Sequence, residues 1–273
     1  MLNLDPNRPP VTPREAATLI VLRPGSPFEI FCVRRHAQSA FMGGVVVFPG
    51  GTVDEGDREG RLSTLTNGIH QRSALFANDE EHARALAVCA CREALEEARI
   101  LPAQGVIDIE RLHAALSAGQ SFADLLTESR LKLTTERLVP FARWITPEAE
   151  QRRYDARFFM TLLPEGQQGR HDDHETVSSL WATPARLLEA FHAGDIFLAP
   201  PTLRAFELLA DAPNIDAALA LAERQTLDPI CPRFVPSDPP MLVLPGDPEH
   251  DVREPRVAGP TRFTWRDGKF VSG

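Results

Sequence analysis

The sequence predicts an α/β sandwich of mixed strands with helices between them, and three observations carry that expectation. Two short apolar runs, AATLIVLR (Ala16–Arg23) and FEIFCVRR (Phe28–Arg35), are separated by PGSP, which is the pattern of strand, turn and strand. A long stretch, EEHARALAVCACREALEEAR, places Ala85, Val88, Cys89 and Leu95 at helical spacing. Between Leu138 and Thr183 strand character returns in LVPFARWIT, ARFFMTLL and TVSSLWAT. Strands, helix and strands again make one α/β or α+β sandwich.

Taken in order, GGVVVFPGG (Gly43–Gly51) predicts a third strand ending in a Pro-Gly-Gly turn, because proline cannot continue a ladder and glycine permits an unusual backbone path. Residues 58–78 are polar and irregular. Asn78 with Glu81 predicts an N-cap and its capping partner for the long helix. IDIERLHAALSAG and SFADLLTESRL predict two short helices, the first closed by Gly119, which together make a helical insertion over 105–133. Thr183 caps a further helix with Pro184 at its first position and Gly194 beyond its end. Residues 200–225 are again helical in pattern, which gives a main domain over 14–226. The remainder, 227–273, is rich in Pro and Asp and predicts an extended tail ending in a hairpin at Asp267-Gly268.

A balance of 29 basic against 38 acidic residues gives a net charge of −9, which argues against a broad nucleic-acid or membrane-binding surface. An anionic substrate would therefore need local help from a metal or arginines. The N-terminus has no basic segment followed by an apolar one, and no run approaches the roughly 18 apolar residues of a membrane span. The chain reads as cytoplasmic, and a homodimer is permitted. Cys32, Cys89, Cys91 and Cys231 are too few and scattered for a disulfide framework, and Cys89 and Cys91 lie about 200° apart on a helix, unsuited to sharing zinc. They are expected to be reduced core thiols.

The chemistry is concentrated in CREALEEARI. Glu93, Glu96 and Glu97 share one helix face, where like charges repel by a few tenths of a kcal/mol. A solvated surface with Arg92 offsetting the repulsion is one explanation; a site for a hard divalent cation, which rewards clustered carboxylates, is the other.

FPGGTVDEGD and REALEEARI together resemble the two ends of the Nudix box, GX5EX7REUXEEXGU, with U a bulky apolar residue. Arg92, Glu93, Glu96, Glu97 and Ile100 fall at its R, E, E, E and final U, with Ala94 at the first U. Three departures stand out. The spacer runs from Arg58 to Cys91, with an insertion over 58–84; Asp57 stands at the first Glu; Arg99 replaces the last Gly. A long spacer costs only slowly growing closure entropy and can bulge away from the site. Arg99 implies a local turn different from the left-handed one a glycine would make. Longer stretches, VRRHAQSAFMGGVVVFPGG, RWITPEAEQRRYDARFFM, ETVSSLWATPARLLEA and LAPPTLR, resemble the Nudix branch with a long insertion in the box, a group that includes a peroxisomal acyl-coenzyme A diphosphatase. An upstream coenzyme A signature, LLTXR(S/A)X3RX3GX3FPGG, is kept at Arg35, Gly44 and Phe48–Gly51, but Ala40 occupies its second Arg and His36 its Ser/Ala.

That resemblance implies a Nudix-type α/β/α sandwich with a mixed sheet and a hydrolase that needs Mg²⁺ or Mn²⁺. Glu93, Glu96 and Glu97 would hold the metal; Glu96, Glu97 and Arg92 would serve catalysis, Arg92 by orienting the acids. Glu175 resembles a distal acid used as extra ligand or general base, and equally reads as a loop acid beside Asp172 and Asp173. His171 and His174 flank it as loop histidines. Arg34, Arg35, Arg152, Arg153 and Arg157 are candidates for a terminal phosphate, with Arg35 first and Arg153 second; Gly50 and Gly51 would lie against substrate. Phe48, Phe158 and Phe159 are expected in the core. The implied substrate is a small nucleoside diphosphate derivative, a coenzyme A ester first. An NDP-sugar or NADH hydrolase, and a Nudix-fold binding module without catalysis, remain open.

Overall fold

The computed structural model describes residues 4–36, 44–172 and 176–273. In chain order its first half comprises β1 (Arg14–Arg23), β2 (Glu29–Arg35), β3 (Val46–Val47), β4 (Gly50–Thr52), α1 (Glu80–Ala98), β5 (Ala103–Gln104), α2 (Ile109–Ser117), α3 (Phe122–Glu128) and β6 (Lys132–Leu133). Then come β7 (Val139–Ile145), β8 (Tyr154–Leu162), β9 (Thr176–Ala182), α4 (Pro184–Ala193), α5 (Pro200–Ala210), α6 (Ile215–Arg224), and β10 (Arg233–Val235), β11 (Met241–Val243), β12 (Arg262–Arg266) and β13 (Lys269–Ser272).

A seven-stranded mixed sheet forms the centre. β1 runs parallel to β8 from Arg14↔Tyr154 to Leu22↔Leu162, and β7 continues the sheet antiparallel to β8. The other edge of β1 forks. Its C-terminal end pairs with β2 at Leu22↔Ile30, while its N-terminal half pairs with β4 at Ala16↔Thr52 to Thr18↔Gly50. β2 in turn pairs with β3 and β9. The single strand expected over Gly43–Gly51 is therefore two pieces serving two partners.

Strand alternation decides which layer each side chain enters. Leu19, Val21, Phe31 and Val33 face a core shared with α1, α2 and α3, whereas Ile20, Leu22, Ile30 and Cys32 face one shared with α4, α5, α6 and the C-terminal strands. The result is the α/β/α sandwich that the sequence predicted.

Four local expectations are corrected. α1 is capped by Asp79, whose carboxylate accepts from the His82 N–H at 2.8 Å, one residue after the expected Asn78. The insertion does not bulge away: two 3₁₀ turns, Gly60–Ser63 and Gln71–Leu75, place Leu62 and Phe76 in the α1-side core, and residues 80–84 are already helix. Arg72 fastens it to the distant carbonyls of Ala222 and Gln225 at 2.6 and 2.5 Å. Arg99 adopts the left-handed conformation after all, at φ 51°, ψ 43°, because its N–H reaches the Leu95 carbonyl at 3.2 Å and the Ile100 N–H that of Ala94 at 3.1 Å. Its guanidinium meets Glu110 at 2.8 Å, which helps to offset the cost of a side chain there. The tail is not merely extended: β10–β13 form a four-stranded antiparallel sheet, closed by the expected hairpin, where Asp267 and Gly268 both have positive φ.

Candidate active site

The site grows from the contact of β4 with α1. The Gly50 N–H donates to Glu97 Oε2 at 3.0 Å. A Cβ on Gly51 would come within 2.4 Å of Glu93 Oε1, and one on Gly50 within 2.6 Å of the Ala17 carbonyl. Glycine is required at both positions for close approach of strand to helix and strand to strand, rather than for the unusual backbone path expected of a turn.

Arg92 organises the acids. It is 8 % exposed and donates through Nε and a terminal nitrogen to both oxygens of Asp57, at 2.9 Å each. Its other terminal nitrogen lies between Glu93 Oε1 at 2.9 Å and Glu96 Oε2 at 3.1 Å, and the Thr52 carbonyl accepts a further bond at 3.0 Å. Asp57, only 2 % exposed, also accepts from the Asp54 N–H at 2.9 Å. The aspartate at the box's first acidic position is thus the anchor of the guanidinium that spaces the helix acids.

Burial dominates the electrostatics. It pushes the Glu93 carboxyl up to about 7, with the Arg92 charge pulling back and the Glu96 charge adding to the rise. Burial also raises Glu96, again opposed by Arg92 and reinforced by Asp57 and Asp54. For Arg92 burial works against the charge, but hydrogen bonding to Asp57 and the nearby carboxylates outweigh it and hold the pKa above its ordinary value.

An all-oxygen donor set in which Glu93 and Glu96 resist ionisation without added positive charge suits a hard cation. Among the described residues no three His, Cys, Asp or Glu side chains are grouped so that they could already hold a metal ion. Glu97 is turned to Gly50, and the Arg92 guanidinium stands between Glu93 and Glu96. The acids line the end of an open cleft, the arrangement in which Mg²⁺ keeps waters and substrate oxygens in its shell.

That cleft has a volume of about 530 Å³. Arg35, Gly50, Gly51, Arg92, Glu93, Glu96 and Glu97 line it together. Arg34 and Arg153, expected at substrate, do not. The Arg34 side chain leaves β2 in another direction and donates to the Asp195 carbonyl at 3.1 Å. Arg153 is buried and tied to the carbonyls of Val11 at 2.7 Å and Thr146 at 3.0 Å. Arg157 is likewise engaged by Asp155 at 2.9 Å. The exposed Arg152 lies outside the lining as well. Phe159 is wholly core, whereas Phe48 and Phe158 are core residues that also line the cleft. His171 pairs with Ser179 Oγ at 3.2 Å. Glu175, His174, Asp173 and Ala40 lie outside the described residues.

Sequence reasoning missed the other half of the lining: Trp144, Ile145, Tyr154, Pro200, Pro232 and Leu242. These residues come from five separate segments and carry no shared local signal.

A mixed sheet carrying three helix acids over a Gly-Gly strand defines the class, a Nudix hydrolase acting on diphosphate bonds. The family model described as the NUDT19 Nudix domain matches residues 12–209, and the chain belongs to that family. It is 25 % identical to the acyl-coenzyme A diphosphatase NUDT19 of Gallus gallus, over 94 % of this chain and 85 % of that protein. It is also 25 % identical to the human protein of the same name, over 82 % and 72 % of the two chains. Among solved structures it resembles a Nudix hydrolase from Alicyclobacillus acidocaldarius, with TM-score 0.68, 28 % identity and coverage of 77 % and 96 %. No described helix is long and apolar enough to cross a membrane.

Proposed function

We propose that the chain hydrolyses the internal diphosphate of coenzyme A or acyl-coenzyme A, giving 3′,5′-ADP and 4′-phosphopantetheine or its acyl form. The observation that carries this reading is the meeting of Glu93, Glu96 and Glu97 with Gly50 and Gly51 at one end of a single cleft, in a chain related over most of its length to acyl-coenzyme A diphosphatases. Mg²⁺ or Mn²⁺ would be held by the three acids, and when bound it supplies positive charge for the diphosphate oxygens and a more acidic water. Arg92 keeps Glu93 and Glu96 apart and oriented, with Asp57 fixing Arg92. Gly50 holds Glu97 by its backbone, and both Gly50 and Gly51 line the cleft beside the acids. Glu175 is kept as a candidate extra ligand or general base: a mild loss in Glu175→Gln supports the first role and near-total loss the second.

Coenzyme A differs from NADH and NDP-sugars by its 3′-phosphate. Of the five arginines nominated for that group, Arg35 is the one that lines the cleft. The test is a diphosphate panel with Mg²⁺ or Mn²⁺ and mass-resolved products. Coenzyme A is expected to exceed dephospho-coenzyme A in kcat/KM, with Arg35→Ala shrinking the preference by about 1.5–3 kcal/mol. Faster cleavage of NADH or an NDP-sugar than of every coenzyme A species replaces the substrate assignment. No cleavage of any diphosphate replaces the enzyme reading with a binding module.

A further inference from the structure

The cleft continues past the acids into a half of different chemistry. Its walls there are Trp144 and Ile145 of β7, Ala156 and Phe158 of β8, and Leu242 of β11. Four more wall positions are prolines: Pro147, Pro200, Pro201 and Pro232. Proline has no N–H, so at those positions the backbone offers no donor, and a nucleobase edge is recognised through donors and acceptors. The Thr146 hydroxyl is already engaged by the neighbouring strand, accepting from the Tyr154 N–H at 3.0 Å. Tyr154 and Thr202 line the cleft too and carry hydroxyls, but prolines and apolar side chains make most of this wall, which favours a saturated chain over a base whose polar edge needs partners. Walls of this kind select by shape and apolar area.

Part of the wall comes from the tail. Pro232 and Leu242 lie beyond residue 209, where the family match ends. They are held firmly. The Ile145 N–H donates to the Ile230 carbonyl and the Ile230 N–H to the Arg143 carbonyl, both at 2.8 Å, so the start of the tail is stitched to the end of β7. Arg204 of α5, 1 % exposed, donates to the carbonyls of Ala258 and Pro260 at 2.6 Å each and to Ser272 Oγ at 3.1 Å. Leu242 pairs with Phe263 across β11 and β12, and both belong to the core that α5 shares.

We propose that this half of the cleft is an acyl subsite: it takes the saturated chain of an acyl-coenzyme A, and Pro232 and Leu242 of the C-terminal segment limit how much of that chain is covered. The inference rests on the coenzyme A reading above and adds to it a site and a source of chain-length selectivity.

The experiment measures kcat/KM for free, acetyl-, octanoyl- and palmitoyl-coenzyme A on the full chain, with products identified by mass. In the wild type the value is expected to rise with chain length by up to about fourfold for each methylene covered, the equivalent of about 0.8 kcal/mol per buried CH₂, and then to level off. Ala156→Leu, which fills the subsite from the strand side, is expected to lower the octanoyl-to-free ratio at least tenfold. Leu242→Ala is expected to move the plateau to longer chains, with its thermal midpoint recorded because the substitution leaves a cavity. A flat wild-type series, or an octanoyl-to-free ratio unchanged by Ala156→Leu, overturns the acyl subsite while leaving coenzyme A hydrolysis standing. Absence of hydrolysis of every coenzyme A species overturns the parent reading instead, so the two failures are distinguishable.

Discussion

The two ends of the cleft are built from very different amounts of chain. The acid end needs β4, the turn that carries Asp57, and the last two turns of α1, joined by hydrogen bonds from Arg92 to Asp57, Glu93, Glu96 and the Thr52 carbonyl. The apolar end needs β7, β8, the start of α5 and two places in the tail. Charged groups must be placed atom to atom because an unpaired buried charge is costly, so their spacing in sequence is tightly constrained. Apolar walls tolerate many residues of similar size, so no fixed spacing identifies them. Damage at the acid end should therefore affect every substrate alike, and damage at the apolar end should change selectivity.

The sharpest test of that contrast is Glu97→Gln. An amide keeps the shape but loses the charge, and turnover is expected to fall by about 10³-fold for all coenzyme A species equally, with an unchanged far-UV spectrum. Glu93→Gln and Glu96→Gln should also be severely impaired. Wild-type rates in Glu97→Gln at saturating metal, or a loss confined to one acyl length, would break the division between the two ends.

Next in size is Asp57→Ala, which removes the bidentate partner of a buried guanidinium. A loss of about 3 kcal/mol in denaturant unfolding is expected, together with a higher metal concentration for half activity. Asp57→Glu keeps the charge but adds a methylene in a site whose side chain is 1 % exposed, and should be less damaging than the alanine. An unchanged metal titration in Asp57→Ala would detach the anchor from the acids.

The pH dependence follows from Glu93. Its folded pKa is raised to about 7 by burial, so its contribution to the metal-free fold is most favourable below the ordinary carboxylate value and is lost as pH rises through about 7. A cation must displace that proton. Apparent Mg²⁺ or Mn²⁺ affinity is therefore expected to fall by up to about tenfold per pH unit below 7 and to flatten above it, with proton release visible by calorimetry in buffers of different ionisation enthalpy. Affinity constant from about pH 6 to about pH 8, one unit either side of the transition, would remove Glu93 from the metal site.

Arg99→Gly should have the smallest effect. Glycine relieves the left-handed strain but loses the Glu110 ion pair, so a net change within about 1 kcal/mol and wild-type kcat are expected. A large loss of kcat would place Arg99 at substrate.

Much of the acid end was legible because α1 is one continuous element: a helix fixes which of Arg92, Glu93, Glu96 and Glu97 are neighbours as soon as their spacing is known. The partnership of Asp57 with Arg92 was only half legible, since position in the motif placed Asp57 near the site without showing that it grips the guanidinium. Among the arginines, spacing gave five candidates and the folded chain left one in the cleft, because Arg34 takes another direction from β2 and Arg153 is consumed by the carbonyls of Val11 and Thr146.

By itself the sequence determined the alternation of strands and helices, the caps of α4 at Thr183 and Gly194, the hairpin at Asp267-Gly268 and the line of helix acids, all of which depend on residues within a few positions of one another. Tertiary structure decided the rest. The fork of β1 between β2 and β4 brings Gly50 and Gly51 under the acids, the insertion packs instead of bulging, and the tail folds into a sheet that supplies Pro232 and Leu242 to the cleft. Each of these is a contact between segments far apart in the chain, and apolar packing, being non-directional, leaves no local pattern from which the partner can be named.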